Sequence, residues 1–256
     1  MNIKRFLIGV SAGAIMLGTT VVPAFASCSS VTTLKGPMTA AVVATSNSTI
    51  SGDIDAVGCD IGVYVGDSIT GVTVTAEVHD ANQYGVFNDG DVTVDGSEIY
   101  NIGHHDGSGN FDPNGGQTGL GVYFDYYANS ASGSVMHSSI HDYQKGGIAI
   151  NGENSSAVVN NNTVVGLSSV PFIAQNGIQF GYGAQGQARG NSIDGNWYSG
   201  ANWTSSGMLL FDINAKDVKV SNNKYINNQS NHVVVENNAC PHMYGGFYEI
   251  YNLCIF

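Results

Sequence analysis

A short apolar strand introduced by glycine recurs along this chain, and the recurrence limits the fold more than any other feature. The copies are Gly62-Val63-Tyr64-Val65, Gly85-Val86-Phe87, Gly121-Val122-Tyr123-Phe124, Gly147-Ile148-Ala149-Ile150, Gly177-Ile178-Gln179-Phe180 and Gly207-Met208-Leu209-Leu210, with His232-Val233-Val234-Val235 as a last copy lacking the glycine. Their starts are 23, 36, 26, 30, 30 and 25 residues apart, which reads as one repeated unit carrying insertions. A second pattern lies between them: Val94…Ser97-x-Ile99, Val135…Ser138-x-Ile140, Val159…Asn162-x-Val164, Ala188…Asn191-x-Ile193 and Val220…Asn223-x-Tyr225. Alternation over a few residues, punctuated by Asn, Gly or Ser, suits short strands joined by sharp bends rather than helices. Asn and Ser tolerate the bends, and stacked Asn side chains hydrogen-bond from one copy to the next.

Composition agrees. Gly occurs 34 times and charged residues make up 11% of the chain, an alphabet in which long helices are hard to write. Residues 1–26 combine Lys4 and Arg5, an apolar run from Phe6 to Val22 and a small-x-small Ala24-Phe25-Ala26 end, the pattern of a cleaved signal peptide. A rival reading makes Cys28 a lipidated anchor, although Phe25 stands where Leu or Val is expected. No other run approaches a membrane span, so the expectation is a secreted, soluble chain. Without the leader, six basic residues face 20 acidic ones, a formal charge of −14. Nucleic acid, which is held by Lys and Arg on phosphates, is not an expected partner.

Four cysteines in an exported chain suggest two disulfides. Pairing neighbours, Cys28 with Cys59 and Cys240 with Cys254, staples each terminus; the other connectivities stay open, and a lipidated Cys28 strands Cys59. No Cys-x-x-Cys or Cys/His spacing resembles a zinc site.

The repeat resembles that of the right-handed parallel β-helix, the architecture of pectate-lyase-like and polygalacturonase-like proteins, and the resemblance covers roughly residues 45–238. It implies an all-β, single-stranded solenoid of about seven rungs whose ends need covering. Residues 27–44 are expected to cap one end. Residues 239–256, rich in aromatics, are expected to cap the other, with an aromatic ligand platform as the alternative. The resemblance alone does not name a function, because one such fold carries many.

The longer steps put their extra residues at one phase, roughly 104–118, 168–176 and 197–206, just before the Gly-introduced strand. Insertions at a common phase of a solenoid collect on one face. In the family this chain resembles, the strand after that bend carries the substrate groove. Alternation turns Tyr64, Phe87, Tyr123, Ala149, Gln179, Leu209 and Val234 outward in one column, and Gly66, Asp89, Asp125, Asn151, Gly181, Phe211 and Glu236 in the next. Asp89 and Asp125 then form a carboxylate pair facing solvent. Such a pair shares a proton, as in acid/base glycosidic cleavage, or holds Ca²⁺ with Asp112 or carbonyls completing the shell; otherwise it is two solvated aspartates. His104 and His105 are candidate bases or plain polar surface, and His141-Asp142 adds a histidine in the corresponding bend of the next copy. Phe87, Tyr123, Asn151 and Gln179 are candidate saccharide contacts.

Departures from the family are informative. Asn110-Phe111-Asp112-Pro113-Asn114 is similar to the Asp-Pro-His segment of alginate epimerases, with Asn114 in place of His. Gly-His-Gly and Arg-x-Lys segments are absent, Arg189 precedes the Asn191 bend, and a polyanion is expected to meet few positive charges. Two functions remain: a secreted protein that binds and cleaves polysaccharide as a lyase or hydrolase, or a non-catalytic surface, adhesive or structural stack bound to polysaccharide or cell-surface glycan.

Overall fold

The computed structural model describes residues 27–236 and the backbone of Glu249–Ile250. The expected leader and most of the expected C-terminal cap, with Cys240 and Cys254, lie outside the described residues. Within them the chain is all-β and built on parallel sheets. One 3₁₀ turn, Ala215–Asp217, is described, and no helix among the described residues is long and apolar enough to cross a membrane.

Each repeat feeds both sheets. The ten-stranded sheet takes the Gly-introduced strands in chain order: Ile61–Val65, Tyr84–Asn88, Leu120–Phe124, Gly146–Asn151, Asn176–Gly181, Ser206–Ile213 and Ser230–Glu236. Their register aligns Val63, Val86, Val122, Ile148, Ile178 and Met208, so like residues stack on like. The twelve-stranded sheet takes the strands on either side of each Ser/Asn bend. Asp91–Asp95, Ser132–Met136, Ser156–Asn160 and Gln185–Arg189 pair in parallel before it. Glu98–Tyr100, Ser139–His141, Thr163–Val170 and Ser192–Tyr198 do so after it. Between the sheets lies one continuous apolar core that includes Val63, Val86, Val122, Phe124, Ile140, Ile148, Ile178 and Ile193.

Two columns explain the repeat residue by residue. A Cβ on Gly121 would lie 2.5 Å from Ile140 Cγ2 and 2.6 Å from the carbonyl oxygen of Gly147, closer than any side chain tolerates. The glycine is therefore demanded by stacking rather than by its backbone freedom. At the bends the residue before each Ser or Asn takes the left-handed conformation, with φ of 66° at Gly96, 49° at His137, 57° at Asn161, 69° at Gly190 and 55° at Asn222. The Asn side chains then form the expected ladder. Asn191 Oδ1 accepts from Asn162 N and Nδ2 at 3.0 Å each, while Asn191 N and Nδ2 donate to Asn223 Oδ1 and Asn191 Nδ2 to Val159 O, all three at 2.9 Å. Buried amides with every polar atom answered avoid the cost of unpaired burial and favour one register.

One column differs from expectation by a residue. Leu209 pairs with Val233, not Val234, and Val234 packs in the inner core. Asn231, rather than His232, lies over Gly207. Without the glycine the sequence carries no mark of the register.

At the start of the ten-stranded sheet, Ser29–Thr33 and Gly36–Val43 form an antiparallel hairpin, tied by the Cys28–Cys59 disulfide, whose Cα atoms are 5.5 Å apart. The hairpin extends the sheet and also covers part of its outer face. Val31 and Met38 pack against a second cluster that includes Tyr64, Tyr84, Phe87 and Tyr123, with Tyr84 and Phe87 edge to face at 4.8 Å.

A groove on the outer face of the ten-stranded sheet

Beyond the hairpin the outer face opens into a groove of about 400 Å³. Its floor is Leu120, Ala149, Asn151, Gln179, Leu209 and Val233 from five successive strands. Each of the three insertions reaches one rim: Gln117 from the first, Ala174 from the second, Trp203 and Thr204 from the third. The residues at the far ends of the strands make the other, where Tyr182 meets Phe211 at 5.4 Å and Tyr126 meets Tyr182 at 5.2 Å, both edge to face. Gln179 Nε2 donates to Asn151 Oδ1 at 2.9 Å, which orders the amide floor.

The groove holds two ammonium groups of an acidic molecule. Lys35, at the hairpin turn, places its Nζ 4.4 Å from the centroid of the Tyr123 ring and donates to Tyr84 Oη at 3.1 Å. Lys145, partly buried, donates to the carbonyl of Ala174 at 2.8 Å, and burial pushes its ammonium down to about 8. Both line the groove, and none of its lining residues is Asp or Glu. A polyanion would meet few positive charges here, two of the six basic residues beyond the leader, but no opposing carboxylate among the lining residues.

Among the expected saccharide contacts, Tyr123, Asn151 and Gln179 line the groove. Phe87 does not: it is fully buried under the hairpin. The carboxylate pair also differs from expectation. Asp89 and Asp125 leave the strands on the outer side, but they are 1% and 0% exposed instead of facing solvent. The hydroxyl of Tyr64, which packs in the cluster under the hairpin, donates to Asp89 Oδ2 at 3.0 Å, with the hairpin's Thr32 carbonyl 3.4 Å from the same oxygen. Asp89 Oδ1 and both oxygens of Asp125 are buried with no partner. Burial first, then the nearby Asp125 charge, raises the Asp89 carboxyl far above the usual carboxylate range, against the opposing hydrogen bond from Tyr64. A proton shared by the pair accounts for this geometry, whereas Ca²⁺ takes six to eight oxygens and the pair offers three unengaged ones.

His104, His105 and Asp112 sit on the first insertion, and none lines the groove. His104 Nδ1 meets the carbonyl of Asp112 at 2.8 Å and its Oδ2 at 3.9 Å, both side chains being exposed. His105 is buried against Phe111 and Asp80 instead. His141 lies between Asp142 and Glu98 on the twelve-stranded sheet. The insertion is anchored through Gln144, whose Oε1 accepts from the backbone N–H groups of His104 and Asn114 at 3.1 and 2.9 Å.

Lys35, Lys145, Tyr182 and Trp203 line the groove without having been singled out in the sequence. The rim of insertions was the signal available for Trp203; for the lysines it was their scarcity. No family model, curated protein or solved structure matches the chain.

Proposed function

We propose that this is an exported right-handed parallel β-helix protein that binds an acidic polysaccharide in the groove, with the hairpin as its N-terminal cap. The repeat and the chain-ordered parallel pairing support the solenoid. The single observation that carries the function is the lining: aromatic rims, an amide floor and two ammonium groups without a carboxylate among them. Sugar rings present apolar C–H faces that suit Tyr and Trp and hydroxyls that suit Asn and Gln, and an acidic group suits lysine. Binding without cleavage is favoured over acid/base catalysis, because the carboxylate pair on this face, Asp89 and Asp125, is buried, and no Asp or Glu lines the groove.

The test is titration of the protein with polygalacturonate, its methyl ester and a neutral galactan, with product analysis in parallel. Polygalacturonate binding is expected, weakened roughly tenfold by Trp203→Ala, about 1–2 kcal/mol of lost aromatic contact. Absence of binding to all three would sink the reading, and released oligosaccharide would replace binding with catalysis.

A further inference from the structure

A second constellation lies on the outer edge of the twelve-stranded sheet, clear of the groove. Thr49–Asp55 pairs in register with Val72–His79, which sets Asp55 beside His79. Asp80 follows with φ 60°, and its Oδ2 lies 2.6 Å from His79 Nδ1. The ligand atoms of Asp55, His79 and Asp80 all fall within 4.8 Å of one another. Each donor is already oriented. Asp55 Oδ1 accepts from Val57 N at 3.0 Å, and the His79 ring is stacked on Tyr100 at 5.0 Å and 15°. Tyr100 is stacked in turn on His141 at 5.2 Å.

A second histidine closes over this edge and holds one of the three donors. The first insertion folds His105 over this edge with its side chain 6% exposed, its Nε2 3.3 Å from Asp80 Oδ1. Its Nδ1 is buried with no partner. Asp80 therefore meets an imidazole at each carboxylate oxygen, His79 at Oδ2 and His105 at Oδ1, which fixes its orientation. The ion pairs of the described residues all use histidine as the cation, so no lysine or arginine neutralises this edge.

We propose that Asp55, His79 and Asp80 bind one divalent ion of the zinc class, with His105 orienting Asp80 from outside the donor set. Two carboxylates and one imidazole are a donor set for such ions, whereas Ca²⁺ takes oxygen alone. The ion takes the place of the proton between His79 and Asp80, which is released on binding. It also pins the first insertion, whose other end supplies Gln117 to the groove rim. A second trio, Asp53–Glu77–His79, shares the histidine but is more exposed.

Calorimetric titration of the full-length protein with ZnCl₂ tests this, with CaCl₂ as competitor. One ion per chain is expected. His79→Ala should weaken it about a hundredfold and His105→Ala about tenfold, the range seen when groups around a metal are removed, and Ca²⁺ should not compete. Should a variant fail to fold, Co²⁺ added to the wild type still decides, because bound cobalt should shift the imidazole proton resonances of His79 and His105. No zinc uptake, equal uptake by His79→Ala, displacement by Ca²⁺, or unshifted imidazole resonances would each overturn the site.

Discussion

Asp89 is where one residue changes the behaviour of the whole chain with pH. Its carboxyl is pushed up to about 7 in the folded chain, against about 4 unfolded. Between those values the folded state holds the extra proton, so its contribution to stability is full below about 4 and is lost as pH rises through 7. The expected slope is of order 2–4 kcal/mol in total. Melting curves of wild type and Asp89→Asn from pH 4 to 8 should converge in acid and separate with the wild type lower at pH 8; parallel curves would refute the shared proton. Gly121 acts through space instead of charge. Gly121→Ala forces a methyl against Ile140 and Gly147 and should cost about 1–3 kcal/mol, read as a lowered denaturation midpoint. The sequence announced that glycine by repetition, since the same collision recurs at Gly85. It did not announce the burial of Asp89, because alternation tells which side of a strand a residue leaves from, not what folds over that side.

The hairpin is the element that alternation could not foresee. Residues 27–44 read as a cap for one end, but that Ser29–Thr33 and Gly36–Val43 form a hairpin packing on the cluster of Tyr64, Phe87 and Tyr123 comes wholly from long-range packing. The Cys28–Cys59 bond, with a separation of 31 residues, fastens it. The double variant Cys28→Ser/Cys59→Ser should lose about 3–4 kcal/mol, by the closure entropy of a loop of that length, which is a fall of roughly 10 °C in Tm. Near-ultraviolet circular dichroism should weaken with it as the tyrosine cluster loosens, and an unchanged melt would mean that the apolar contacts of Val31 and Met38 suffice. The insertions were legible as elements: their common phase predicted one face, and all three reach the same rim. Which side chains they present was not, since loops carry no period from which orientation can be read.

At the scale of the molecule, the repeat made the parallel pairing readable in advance, because each copy can bury its apolar residues only against the next. The ligand face was harder. Its chemistry is spread over positions far apart in sequence, from Lys35 to Val235, and no short motif records it. The groove accordingly lies beside the His-rich insertion around His104 and His105, with Lys145 among its lining residues.

Lys35 and Leu34 stand across one end of that floor, over Tyr123. Five strands spaced about 4.8 Å apart give a run of roughly 20 Å, long enough for several sugar units but stopped at the hairpin. A linear polymer lying along it would meet these two side chains at that end. If the groove binds polysaccharide as proposed, this wall would favour the terminus of a chain over its interior, and the number of polymer ends in a sample, not its mass, would set how much protein it can hold.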